Sequence, residues 1–171
     1  MKTLHYLAYG SNLYPQRLQE RVPSAGLIGT VGLMGWRLKL HKRGQDSSAK
    51  CNIIQTGKTA DVVYGAVYEI HANEKDKLEG LDAGYSLAQI DIAEQGTAFF
   101  YVAEKEYIDS DLLPFAWYKE LVMAGGCFHI FPQAYLAQIA SVKTLTDADK
   151  GRHQRNMKIL KPGMNVDSGG I

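Results

Sequence analysis

The chain has 171 residues, of which 46% are hydrophobic and 22% charged, with a formal net charge of +1. That length accommodates one domain with a substantial core, and the near-neutral balance excludes a protein that holds nucleic acid through a broad basic face. No apolar run reads as a signal peptide or a membrane span. Cys51 and Cys127 lie far apart without CxxC spacing, which argues against a disulfide framework or a zinc site and for the reducing cytoplasm.

Residues 3–9 read as a buried strand carrying Leu4, Tyr6, Leu7 and Tyr9. It breaks into Gly10-Ser11-Asn12, residues that favour turns and caps. A strand opening into a helix there leaves backbone N–H groups pointing one way, a cradle for an anion. Gly10 permits close approach of a ligand, and Ser11 and Asn12 add side-chain donors and acceptors. A plain capped connection satisfies the same composition. Residues 14–21 read as a short helix with Pro15 in its first turn. Two strands are expected over 26–32 and 35–41, and a polar loop over 42–50. A further strand covers 51–55. Residues 62–70 form the strongest strand, β-branched and aromatic on both faces and therefore central. Asn73 is placed to cap a helix running through Glu74 to Asp82. Residues 86–93 and 97–103 read as a hairpin, and 115–124 and 132–141 as helices, each introduced by a proline. Beyond about 147 the chain turns basic and then Gly-rich, so a loosely ordered tail over 147–171 is expected after a domain spanning 1–146. Many strands with few short helices predict an α+β chain, a small mixed β-barrel-like sheet with helices outside it.

Five histidines are scattered without metal-ligand spacing. Tyr6, Tyr9, Tyr14, Tyr64, Tyr68, Tyr85 and Tyr118 are expected around the turn, either as packing or as pocket walls offering ring faces and hydroxyls. Glu79 and Asp82 lie three apart and share a helix face. A carboxylate set against apolar groups has its pKa raised toward that of a neutral-pH general base. From spacing alone, a solvated helix face remains the simpler account.

The order of the pieces carries more than any one of them. Tyr9-Gly10-Ser11-Asn12-Leu13 comes first, then Arg17-Leu-x-x-Arg21 with Pro23-Ser24, then Gly35 to Leu38 as Gly-Trp-Arg-Leu. Val63-Tyr64-Gly65-Ala66-Val67-Tyr68 follows, then the acidic helix end, Tyr118-Lys119 after Pro114, and Pro132-x-x-Tyr135-x-x-x-Ile139. Over residues 4–140 this resembles the gamma-glutamylcyclotransferase family, whose signature is an N-terminal YGSN turn. The resemblance implies a small, mainly β-barrel protein that cyclises a γ-glutamyl amino acid or amine to 5-oxoproline and releases the free amino acid or amine, without metal or cofactor. The partner it implies is that small molecule, with no nucleic acid and no membrane, and it leaves the oligomeric state open. It implies substrate binding by Tyr9, Gly10, Ser11 and Asn12, with Tyr6, Leu7 and Ala8 leading into the turn, and by Tyr118. Counted without gaps from Gly65, Asp82 stands at the family's catalytic glutamate and is expected as the base. A shifted alignment gives Glu79, the second candidate. A one-methylene retraction of the base allows an alternative, a binding module for γ-glutamyl or carboxylate metabolites on the same fold. The glutathione-specific branch has Leu in place of Asn12, so the chain is not assigned to it.

Overall fold

The computed structural model describes residues 2–81 and 83–161. β1 (Thr3–Ala8) is the middle strand of a five-stranded sheet ordered β2 (Gly26–Met34), β5 (Val62–His71), β1, β7 (Gly96–Ala103), β6 (Tyr85–Ile92). It pairs antiparallel with β5, Tyr6 opposite Tyr68, and parallel with β7, Tyr6 opposite Phe99. Flanked on both sides, its C-terminal half must be apolar on both faces, and Leu7 and Ala8 are fully buried. Gly65 on β5 answers a close approach: a Cβ there would stand 2.7 Å from Leu7 Cδ1 and 3.0 Å from the Ala8 carbonyl oxygen.

β3 (Trp36–Arg43) and β4 (Ala49–Gln55) form a separate two-stranded ribbon. Gly35, at φ +81°, turns β2 into β3 in a conformation open to glycine. The ribbon leans on the large sheet through the Trp36 ring, edge-on to Phe100 at 5.8 Å. Asn52 Oδ1 also accepts the Ala103 N–H at 2.8 Å. The fold is α+β, as expected. The described strand pairing does not close a barrel, however: β2 and β6 are the edges of the large sheet.

The helices are α1 (Pro15–Arg21), α2 (Lys75–Glu79), α3 (Ala116–Phe128), α4 (Gln133–Ala140) and α5 (Lys150–Ile159). The core lies where α1 and α3 meet the sheet, with Leu13, Leu18, Val22, Ile70, Leu121 and Val122 fully buried. Gly125 lets α3 touch the turn after β1, since a Cβ there would lie 2.4 Å from Leu13 Cβ.

Three local expectations change. The polar loop shrinks to residues 44–48, because Lys42 belongs to β3 and Lys50 to β4. Lys42 is fully buried, its Nζ 4.5 Å above the Tyr85 ring and 2.5 Å from the Ala83 carbonyl oxygen. The helix expected over 74–82 is a single 3₁₀ turn over Ala72–Glu74 followed by five α-helical residues, with no side-chain cap from Asn73. Where a loose tail was expected, α5 forms: Asp149 caps it by accepting the Arg152 N–H at 2.8 Å, and Met157, Ile159 and Leu160 pack on the core. The Gly-rich stretch 162–171 lies outside the described residues. Among the described residues no helix is long and apolar enough to cross a membrane.

Candidate functional site

β1 ends at Ala8, and the chain enters a 3₁₀ turn over Ser11–Leu13. The Leu13 N–H bonds to the Gly10 carbonyl at 3.0 Å. The first amides of such a turn, those of Ser11 and Asn12, have no carbonyl within the turn to bond. Gly10 is confined on its outer side: a Cβ would meet Cys51 Cβ at 3.1 Å and the Tyr118 hydroxyl at 3.4 Å. The Tyr118 hydroxyl in turn accepts the Cys51 N–H at 3.0 Å. Asn12 ties the turn to its neighbours. Its Nδ2 donates to the Tyr6 hydroxyl at 3.0 Å, and its Oδ1 accepts from Arg21 Nη1 at 2.7 Å.

These residues line one side of a cavity of about 570 Å³. Tyr6, Tyr9, Gly10, Ser11, Asn12 and Tyr118 all stand on its wall. Leu7 and Ala8 do not: both are buried within β1, because the strand is sandwiched between β5 and β7. Tyr85 also lines the cavity, its hydroxyl donating to the Cys51 carbonyl at 2.6 Å. Tyr64 and Tyr68 are absent from this wall. The Tyr68 hydroxyl instead donates to the Leu13 carbonyl at 2.8 Å, holding the turn from behind.

Glu79, at the end of α2, lines the cavity between Leu78 and Leu81. Its carboxylate pairs with Lys75 one helical turn earlier, and its side chain remains 43% exposed. Asp82, the first-choice base from the sequence, lies outside the described residues. Opposite charges meet along the rest of the wall. Lys50 Nζ reaches Asp46 Oδ2 at 2.7 Å and the Ser48 hydroxyl at 2.8 Å. It also stands 4.8 Å over the Tyr118 ring. Burial raises the Asp46 carboxyl, but the Lys50 ammonium and the Ser48 donors outweigh it and hold the group below its usual value. Arg152 from α5 is bound through Nε and Nη2, each at 2.6 Å, to the two carboxylate oxygens of Asp147.

Two groups on the wall stand without such partners. The Tyr101 hydroxyl is buried and has no hydrogen-bond partner among the described residues. Burial, and next the Glu79 charge, push its pKa up, so it stays a neutral donor. Arg17 Nε is likewise buried and unpartnered among the described residues. Burial, and then Arg21 beside it, lower this guanidinium to about 10, still charged at neutral pH. Burial pushes the Cys51 thiol up to about 12, which leaves it protonated and unreactive as a nucleophile at neutral pH.

Sequence reasoning passed over Arg17, Tyr101, Trp117 and Arg152 as wall residues, and weighed Lys50 as a loop cation able to meet a substrate carboxylate while favouring a solvated loop. Arg17 and Arg21 carried a usable signal: two cations four apart on a helix that starts three residues after the turn share one face. Tyr101 shares its strand face with Phe99, and the rings of Tyr6, Phe99 and Tyr101 pack within 5.3–6.2 Å of one another. Arg152 carried none, since tertiary contacts alone bring it in.

No protein-family model and no curated protein matches the chain. Solved structures do. A gamma-glutamyl cyclotransferase is 23% identical, the match covering 92% of this chain and 99% of that one at a TM-score of 0.76. An uncharacterized protein from Homo sapiens is also 23% identical, over 94% of this chain and 100% of its own, at 0.76. YkqA from Bacillus subtilis is 15% identical over 85% of this chain and 57% of that one, at 0.65. Identities this low speak to architecture. The chain has the gamma-glutamyl cyclotransferase fold.

Proposed function

We propose that the protein cyclises a γ-glutamyl amino acid or amine to 5-oxoproline. The observation that supports this reading is one cavity bearing the Tyr9–Asn12 turn, a carboxylate at Glu79 and a buried, unpartnered phenol at Tyr101. The reaction asks for little else. The substrate α-ammonium loses a proton and its nitrogen attacks the γ-carbonyl carbon of the same molecule. The five-membered lactam closes, the amide C–N bond breaks, and the departing nitrogen takes up a proton. In this reading the Ser11 and Asn12 amides bind the glutamyl carboxylate. Glu79 accepts the ammonium proton and returns it to the leaving nitrogen. The Tyr101 hydroxyl donates to the oxygen that becomes negative as the carbonyl is attacked. Folding the glutamyl chain into near-attack geometry is the enzyme's main task, because the nucleophile and the electrophile already share one molecule. Asp82 remains a candidate for the base role, three residues beyond Glu79.

The test is 5-oxoproline release from a panel of γ-glutamyl amino acids and amines, run on the wild type, Glu79→Gln and Asp82→Asn. Turnover that Glu79→Gln abolishes supports the assignment. Turnover lost only in Asp82→Asn moves the base to that residue. One feature favours the binding-module reading: Glu79 is already engaged by Lys75 and is partly open to solvent. A panel that raises the melting temperature without any turnover would select that reading.

A further inference from the structure

The side chain of Asn12 links a cation to a phenol, and the link has a direction. Arg21 Nη1 meets Asn12 Oδ1 at 2.7 Å, and Asn12 Nδ2 meets the Tyr6 hydroxyl at 3.0 Å. A guanidinium donates and never accepts. The amide oxygen must therefore face Arg21, which turns the amide nitrogen toward Tyr6. That nitrogen can only donate, so the Tyr6 oxygen accepts. The hydroxyl hydrogen is left to be given elsewhere, and Tyr6 makes no further hydrogen bond among the described residues. Tyr6, Asn12 and Arg21 all line the cavity, and Tyr6 is buried. A buried O–H whose hydrogen finds no acceptor in the protein is costly, and is accounted for when a ligand oxygen takes it. Burial raises the Tyr6 pKa against the Asn12 bond and the Arg21 charge, so the hydroxyl keeps its hydrogen at neutral pH. The Tyr6 ring stands 6.2 Å from that of Tyr101, the donor assigned above to the oxygen of the attacked carbonyl.

We infer that Tyr6 is a second catalytic donor to that oxygen, and that Arg21 and Asn12 are positioning residues that set the direction of its hydrogen. This rests on the proposed reaction. Two phenol O–H groups then meet the negative charge that grows as the nitrogen attacks, and neither proton is transferred. The Asn12 side chain meets no ligand in this arrangement; its backbone amide alone does. The link also gives a reason for an amide, and not a carboxylate, at position 12. A carboxylate accepts on both oxygens and would draw the Tyr6 hydrogen to itself.

Asn12→Asp is nearly isosteric and reverses the link: Arg21 balances the added charge, the new carboxylate accepts from Tyr6, and the hydrogen leaves the cavity. In 5-oxoproline release, Tyr6→Phe should lower kcat by about a hundredfold, the loss on removing one oxyanion donor, with KM within about threefold of the wild type. Asn12→Asp should lower kcat on the same scale in the wild-type background, and by less than about threefold in Tyr6→Phe, because both changes remove the same hydrogen. A Tyr6→Phe variant that loses nothing in kcat, or losses that multiply in the double variant, overturn the inference. A second measurement does not need turnover. The infrared stretch of bound 5-oxoproline, isotope-labelled at its ring carbonyl, should lie lower in the wild type than in either single variant. A stretch that Tyr6→Phe leaves unmoved overturns the inference as well. If the wild type turns over no γ-glutamyl compound, the reaction reading falls and the infrared comparison decides Tyr6 as a donor to a ligand carbonyl by itself; in that case 5-oxoproline that fails to bind the wild type ends the inference too.

Discussion

The turn wall and the acidic wall of the cavity are held in different ways. Behind the turn, Leu13 is fully buried, and its carbonyl is bonded by the Tyr68 hydroxyl and by His129 Nε2, each at 2.8 Å. Gly125 backs the same residue with no room for a methyl group. Across the cavity, α2 has five residues, buries only Leu78, and offers Glu79 from its last position. Its fastenings are short-range: Lys75 to Glu79, and Lys77 to Glu74 at 2.6 Å. Longer ties join this segment to the rest through Glu74, which accepts the Ser24 N–H at 3.1 Å and the Ser24 hydroxyl, and through Lys75, whose Nζ stands 5.7 Å from the Phe99 ring centre. A ligand-holding surface gains from being fixed before the ligand arrives. A short helix with few buried contacts belongs to the low-stability end of a fold, where local opening is inexpensive. In the proposed reaction the two walls divide the work, and substitutions on each should fail differently.

The largest effect is expected on the acidic wall, and on rate alone. Glu79→Gln should lower kcat/KM by at least about a hundredfold, the usual loss on removing a general base. The melting temperature should stay within about a degree, since a half-exposed helix-end side chain contributes little to stability. Steady-state 5-oxoproline release and a thermal melt measure both. An unchanged rate would remove Glu79 from the chemistry and leave Asp82 as the candidate base.

The turn wall should break in the opposite sense. In Gly125→Ala the added methyl would meet Leu13 Cβ at 2.4 Å and the Tyr14 nitrogen at 2.7 Å, and the second of these is backbone. Neither neighbour can swing aside, so the helix and the turn must part. Overpacking of this kind costs about 3 kcal/mol, readable as a lowered urea midpoint. Ligand affinity should fall with it, because the displaced element is the turn itself. A variant of near-normal stability would mean that the turn wall is more compliant than its packing indicates.

The sequence made the turn wall readable and left the acidic wall half hidden. Strand, turn and helix at 3–21 announce themselves locally, through an apolar run, Gly-Ser-Asn and a proline at the start of the helix. The strand at 62–71 is as plain, and Gly65 within it records its closeness to Leu7. What could not be read depends on partners far along the chain. Lys42 and Lys50 look like loop residues because lysine is a surface residue by habit. Both are buried in strands, where Tyr85, Ala83, Asp46 and Tyr118 receive them. The basic stretch 150–159 has little apolar periodicity, and becomes a helix through its Asp149 cap and its anchorage to Asp147. The acidic helix was readable in kind and misjudged in length, because Gly80 ends it three residues early.

That α5 anchorage supplies an intermediate case. Asp147 is buried, accepts the Trp117 indole N–H at 2.8 Å, and takes both Arg152 bonds. Asp147→Ala should cost about 2 kcal/mol, the scale of hydrogen bonds to a charged group. Arg152 holds the Asp147 carboxyl well below the usual carboxylate range, with burial opposing it. A depressed folded-state pKa gives stabilisation that is complete above the unfolded value, about 3.9, and is lost as pH falls toward the folded one. The gap in urea midpoint between wild type and Asp147→Ala should therefore be constant from about pH 7 to pH 5 and narrow below about pH 4. A gap that widened in acid would contradict the ion pair.

The smallest effect returns to α2 and bears most directly on its looseness. Lys75 and Glu79 form an i,i+4 pair with side chains 26% and 43% exposed. Lysine precedes glutamate, the less favourable order against the helix dipole. Such a pair is worth about 0.3–0.5 kcal/mol and fades with salt. Lys75→Met should lower stability by no more than that, and the difference should vanish in about 1 M salt, where the screening length is about 3 Å. Its effect on turnover separates two accounts of the acidic wall. If α2 alone presents Glu79, kcat/KM should change by less than about threefold, because the carboxylate keeps its place on the helix. If Lys75 aims Glu79, the rate should fall toward that of Glu79→Gln with the melting temperature unmoved. The wall would then be loose as a helix and fixed as an ion pair.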